Sequence, residues 1–160
     1  MASAAAAIKP FNCFVYGTLM NGFSNSFLMK ECKFIGRATT VNKYALFTNE
    51  YPFVNSKIAQ TEIQGEVYEV SKREELEWLD ELEGHPDVYI RTAITAVLEG
   101  TTEAIPVQIY FYDRAATEGE GVETVPSGSF RDSVTASRHV DPKDINTFRI
   151  PWSEIESNKE

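Results

Sequence analysis

Histidine, cysteine and clustered basic residues are scarce in this chain, and each scarcity removes a class of function. The two histidines, His85 and His139, are too few for a His-rich metal site. The two cysteines, Cys13 and Cys32, belong to no CxxC or Cys/His ligand spacing. Cys13 lies among strand-forming residues and reads as a small buried apolar group; a Cys13–Cys32 disulfide stays open. Lys and Arg number 15 against 24 acids, a formal net charge of −9. Binding to a phosphate backbone needs clustered cations, and none occur, so no nucleic-acid partner is expected. No segment approaches the roughly 20 apolar residues of a membrane span. Met1–Ala7 is Ala-rich without a basic region or a long apolar run, so it does not read as a signal peptide. The expectation is a soluble, cytoplasmic monomer with no membrane partner.

What is present is ordinary globular material: 160 residues, 42% of them apolar, enough for one domain with its own core. Residues 1–10 read as a disordered leader, 11–134 as the domain and 135–160 as a polar extension with isolated anchors at Phe148, Ile150 and Trp152. The first strand runs into Phe14-Val15-Tyr16-Gly17-Thr18-Leu19. Its β-branched and aromatic residues suit a half-buried pleat. Gly17 then lets a neighbour approach the main chain closely. Such a break is either an ordinary turn or one wall of an anion or oxyanion site lined by amides.

Further along, Asn25 to Cys32 reads as a short helix with Phe27, Leu28 and Cys32 on one side. Lys33 to Asn49 reads as one or two strands with a bulge or bend at Gly36, and Pro52 marks a turn or sheet edge. Ile63 to Val70 alternates like a half-buried strand. Val88 to Leu98 and Ala104 to Tyr112 form a hairpin, and 114–128 is an acidic, Gly-rich loop.

Between these strands lies a helix from about Lys72 to Leu82 or Glu83, with Ser71 as N-cap, Glu74 closing a capping box and Gly84 ending it. At 100° per residue, Leu79 and Leu76 fall within about 40° of Glu83, and Asp80 lies about 60° away. Glu74, Glu77 and Glu81 fall on the far side. A carboxylate on the apolar face, beside the negative end of the helix dipole, has its pKa raised. That suits a general base or acid poised near neutrality. The alternative is a frayed helix end that turns Glu83 to water. No G-x-S-x-G elbow frames Ser129 with His85 or His139 as a catalytic set.

Val15-Tyr16-Gly17-Thr18-Leu19, followed by Gly22, Asn25 and Leu28, resembles the opening motif of the γ-glutamylcyclotransferase-like, AIG2-like superfamily. Tyr-Gly-Thr-Leu resembles its γ-glutamylamine cyclotransferase branch in particular. Gly36, Tyr51-Pro52, Gly65-Glu66-Val67-Tyr68, Leu79-Asp80-Glu81-Leu82-Glu83, Tyr89 with Arg91, and Tyr110 with Tyr112 follow in the matching order.

The resemblance implies an α+β fold, a small, mostly antiparallel barrel-like sheet flanked by short helices. It implies a cofactor-free, metal-free reaction on a small-molecule γ-glutamyl substrate, such as ε-(γ-glutamyl)-lysine. In that reaction the substrate α-amine attacks its own γ-carbonyl, releasing 5-oxoproline and an amine. By the same resemblance Glu83 is the catalytic acid–base, and Tyr16, Gly17, Thr18, Leu19, Tyr89 and Tyr112 bind substrate. Two departures bear on leaving-group recognition. Ser26 follows Asn25 where many relatives carry His, and Ser127-Gly128-Ser129-Phe130 stands where bacterial relatives carry Ser-Gly-Asp-Trp.

Overall fold

Five strands close into a barrel in the order β1-β5-β2-β6-β7. The structure, a computed structural model, describes residues 7–133 and 135–140. The barrel strands are β1 (Ala7–Val15), β2 (Lys33–Thr40), β5 (Gln64–Lys72), β6 (Ile90–Leu98) and β7 (Ala104–Phe111). All pairings are antiparallel except the closing seam, where β1 meets β7 in parallel at Cys13 and Gln108. A small sheet, β4-β3-β8, lies beside it, built from β3 (Ala45–Thr48), β4 (Pro52–Asn55) and β8 (Glu123–Thr124). The one α-helix among the described residues, α1 (Arg73–Glu83), follows β5 directly. Barrel closure removes the exposed strand edges that would template pairing with another chain.

The sequence pattern explains most of this. The hairpin β6–β7 holds register from Ile90 opposite Phe111 to Val97 opposite Ala104. The bend expected at Gly36 is a bulge, since the register on β5 slips between Phe34 and Gly36. Pro52, which has no amide proton to give a ladder, opens β4 at the edge of the small sheet.

Other expectations shift. β1 begins at Ala7, so residues 7–10, read as leader, are strand; Ala7 pairs with Lys72. The helix expected over Asn25 to Cys32 is a single 3-10 turn, Ser26–Met29. At three residues per turn its faces fall elsewhere. Met29 is buried, whereas Phe27 is 63% exposed.

β5 is not half-buried. Glu66, Val67, Tyr68 and Val70 are all covered, because the loop after β1 and the segment around Arg131 pack over its outer face. The 114–128 loop is pinned where Glu123 and Thr124 pair with β3 and Val125 is buried. Residues 135–140 pack on the domain: Ala136 is fully buried and Val140 bridges Phe23. Phe148, Ile150 and Trp152 lie outside the described residues.

The core fills the barrel with Phe14, Ile63, Val67, Val70 and Ile109, and extends under α1 through Leu79. No helix among the described residues is long and apolar enough to cross a membrane.

Candidate active site

A cavity of about 550 Å³ opens where β1 leaves the barrel, within the range of small-molecule sites. Its walls are the Tyr16–Leu19 loop, the start of β4, the last turn of α1, and Tyr89, Tyr110 and Tyr112 around the β6–β7 hairpin. All seven residues singled out in the sequence, Tyr16, Gly17, Thr18, Leu19, Glu83, Tyr89 and Tyr112, line it.

The loop is shaped by a close approach. A Cβ on Gly17 would stand 2.5 Å from Pro52 Cγ, so what crowds this glycine is the start of β4. The chain then turns, with the Met20 amide donating to the Gly17 carbonyl at 3.0 Å. Asn25 fixes the turn twice, its amide donating to the Thr18 carbonyl (3.0 Å) and its Nδ2 to Thr18 Oγ1 (2.9 Å). The amides of Gly17, Thr18 and Leu19 are not among the backbone donors that find an acceptor within the described residues. Gly17, Thr18 and Leu19 all line the cavity, the setting in which loop amides can hold a ligand oxygen.

The far end of the loop rests on a buried ion pair. Glu66 Oε1 accepts from the Asn21 amide (3.0 Å) and from the Tyr68 hydroxyl (2.9 Å). Arg131 stands 3.7 Å from Glu66, donates to the Asn21 carbonyl at 3.0 Å and covers the Phe23 ring. The sequence concealed this network, because alternation along a strand places Glu66 toward water.

Three tyrosines serve mainly as architecture. The Tyr16 hydroxyl donates to the Tyr110 carbonyl (2.8 Å), joining β1's exit to β7. Tyr89 donates to the Pro52 carbonyl (2.8 Å), and Tyr110 to Asp80 Oδ1 (2.6 Å). Burial above all pushes each phenol above its ordinary range, with Glu83 nearby adding to the shift for Tyr16 and Tyr89. All three are neutral donors. Tyr112 packs its ring at a tilt against Tyr89 and edge-on to Phe53, with centroids 5.1 and 5.9 Å apart. Its hydroxyl has no hydrogen-bond partner among the described residues.

Glu83 closes α1. The helix starts one residue later than expected: Lys72 is the N-cap, and Glu75 rather than Glu74 reaches back, accepting from the amides of Ser71 and Lys72 at 3.4 Å. Its other end does not fray. Gly84 is left-handed at φ 70°, the amides of Gly84 and His85 bond Glu81 and Asp80, and Tyr89 donates to the Glu83 carbonyl at 3.1 Å. The Glu83 side chain is therefore held at the cavity. Within the described residues it pairs with no cation and accepts no hydrogen bond. Burial pushes its carboxyl up to about 7.

Asp80, one turn earlier on the same face, has the opposite surroundings. Oδ1 accepts from Arg91 Nη1 and from the Tyr110 hydroxyl, while Arg91 Nε donates to Gln108 Oε1 at 2.9 Å. The Arg91 amide donates to His85 Nδ1 at 3.0 Å. Two carboxylates one turn apart thus divide their work, Asp80 tying α1 to the β6–β7 hairpin and Glu83 facing the cavity. Asp80→Ala strands Tyr110 and Arg91 without their acceptor. It is expected to lower stability by about 1–3 kcal/mol, read from the urea midpoint; an unchanged midpoint would show that the tie carries no load.

Other nucleophiles are not set up. Cys13 and Cys32 are free and buried, and burial pushes the Cys32 thiol up to about 12 and that of Cys13 higher still. Among the described residues no group of His, Cys, Asp and Glu has the geometry to hold a metal ion.

A family model described as gamma-glutamyl cyclotransferase, AIG2-like, matches residues 13–132. The chain is similar to a Methanocaldococcus jannaschii protein provisionally named a gamma-glutamylcyclotransferase. They are 42% identical over 122 residues, covering 74% of this chain and 94% of that one. It is also similar to the gamma-glutamylaminecyclotransferase of Bos taurus, 36% identical over 118 residues and covering 68% of each chain. Among solved structures, an AIG2-like protein of Mus musculus superposes with a TM-score of 0.68 at 24% identity, covering 79% of this chain and 92% of the other. That last likeness is one of fold.

Proposed function

The chain belongs to the gamma-glutamyl cyclotransferase, AIG2-like family, and from that premise we propose that it converts γ-glutamylamines, ε-(γ-glutamyl)-lysine among them, to 5-oxoproline and a free amine. The observation that carries this reading is Glu83: a carboxyl with no partner among the described residues, pushed up to about 7 and lining the same cavity as the Tyr16–Leu19 loop.

Glu83 as carboxylate takes a proton from the substrate α-ammonium. The freed nitrogen attacks the γ-carbonyl carbon of the same molecule and closes the five-membered ring. The amides of the loop hold the developing oxyanion. As the carbon–nitrogen bond to the leaving amine breaks, Glu83 returns the proton to that nitrogen, and the ring nitrogen gives up its second proton, so that 5-oxoproline leaves as the neutral lactam and the released amine departs as its ammonium. Because nucleophile and electrophile belong to one molecule, folding the substrate supplies much of the rate, and no covalent enzyme intermediate is needed.

Incubation with ε-(γ-glutamyl)-lysine should yield 5-oxoproline and lysine in equal amounts. Tight binding of the conjugate with no 5-oxoproline formed would instead assign the fold to a binding module.

A further inference from the structure

The reaction accounts for Glu83 and for the face of the loop that lines the cavity, but not for the charged pair buried behind that loop. Glu66 and Arg131 are only 4% and 6% exposed, and neither lines the cavity. They come from β5 and from a 3-10 turn, Phe130–Asp132. A buried ion pair is a weak way to secure a core, because apolar residues of similar volume do as well. What it adds is direction, through charge-assisted hydrogen bonds aimed at fixed atoms.

Both partners aim at one residue. Glu66 Oε1 accepts from the Asn21 amide and Arg131 Nη2 donates to the Asn21 carbonyl, each at 3.0 Å. The peptide groups on either side of the Asn21 Cα are therefore gripped at once. Tyr68 donates to the same Oε1 at 2.9 Å, which fixes the carboxylate's orientation. The Arg131 guanidinium lies over the Phe23 ring, 4.7 Å from its centroid. From Asn21 the hold passes to the cavity wall over a short distance. Leu19 and Met20, the two residues between Thr18 and Asn21, are buried and leave little slack. The Met20 amide is bonded to the Gly17 carbonyl, and Asn25 holds Thr18 from the other side.

Resting on the cyclotransferase reading, we propose that Glu66 and Arg131 are positioning residues for the reaction: by gripping Asn21 they set the Gly17–Leu19 amides at the point in the Glu83 cavity where the oxyanion develops. Neither touches substrate. Donors favour the transition state only when they already stand where its charge will be. Slack in the loop therefore lowers kcat and leaves KM nearly alone.

Two substitutions of Glu66 pull charge and reach apart. Glu66→Gln loses the charge that Arg131 faces, but its amide oxygen still reaches the Asn21 amide and Tyr68. Glu66→Asp keeps the charge and withdraws both oxygens by one methylene. A third variant, Glu66→Met with Arg131→Met, relieves both buried charges together and releases Asn21. The test measures kcat, KM, the pH–rate profile and the thermal midpoint of each with ε-(γ-glutamyl)-lysine, at a temperature well below every midpoint. Glu66→Asp and the double variant should lose about 10–10²-fold in kcat, with KM little changed and the pH midpoint where wild type has it. Glu66→Gln should lose the least. A role confined to stability predicts wild-type kcat for every folded variant, and that result overturns the proposal, as does Glu66→Asp losing no more than Glu66→Gln. A displaced pH midpoint also overturns it, since the damage would then lie at Glu83. Should the double variant not fold, the order of the two Glu66 variants decides by itself. Wild-type protein that releases no 5-oxoproline is a different result; it overturns the cyclotransferase reading, and this proposal with it.

Discussion

Glu83→Gln is expected to lower kcat about 10²–10⁴-fold on any γ-glutamyl substrate the protein turns over, the usual contribution of a positioned acid–base group. Glutamine keeps the shape of the side chain and removes its proton chemistry. The wild-type rate should climb with pH through a midpoint near the carboxyl's value of about 7, since the base works only when ionised. The residual activity of the variant should lack that rise. A variant that keeps wild-type turnover would remove Glu83 from the mechanism.

The same substitution should act oppositely on stability. The folded carboxyl titrates near 7 against an ordinary value of 4.5, so the folded state binds the proton more tightly than the unfolded one. Its contribution to stability is fully present below pH 4.5 and is lost as pH rises through 7. Glutamine carries no such loss. Glu83→Gln should therefore match wild type in a thermal melt at pH 4 and exceed it at pH 8, by about 1–3 kcal/mol, the lower part of that range reflecting the side chain's partial exposure. A variant less stable than wild type at pH 8 would mean that the carboxylate is stabilised by contacts other than those described.

Gly65→Ala is the second large effect, and it falls on the barrel. Gly65 sits on β5 one step beyond the pair Val15–Glu66, where β1 leaves the sheet for the site loop. A methyl group there would strike the Val15 carbonyl and lie 2.7 Å from the Phe14 ring. Neither can yield cheaply, for one is backbone and the other a fully buried side chain. Overpacking of this kind costs about 1–3 kcal/mol, and the upper part of that range is expected because backbone must move. Activity should fall as well, since the displaced carbonyl lies one residue before Tyr16. An unfolding midpoint equal to wild type, with activity intact, would show that the strands separate freely at this point.

The sequence was most readable where local pattern and cavity coincide. The helical period isolated Glu83, Gly84 marked the stop, and a strand broken at Gly17 gave the facing wall. It was least readable where a residue's surroundings come from distant chain. Glu66 alternates outward on β5 and is buried only because Asn21 and Arg131 arrive from opposite ends of the chain. Asp80 looked borderline on the helix; its partners Arg91 and Tyr110 lie on the following hairpin. The helix expected after Asn25 is present but is a single 3-10 turn, Ser26–Met29, because apolar spacing over so few residues fits either helix type.

The parallel seam between β1 and β7 has a kinetic side. Cys13 must find Gln108, and the Tyr16 hydroxyl must find a carbonyl 94 residues away. Contacts that distant carry the largest loop-closure entropy and tend to slow folding. During synthesis β1 emerges first and has no complete barrel to join until β7 has been made. Phe14 and Val15, both buried in the finished barrel, spend that interval uncovered. The cavity cannot exist before the seam closes, so catalytic competence belongs to the end of folding and no N-terminal fragment ending before β7 can possess it.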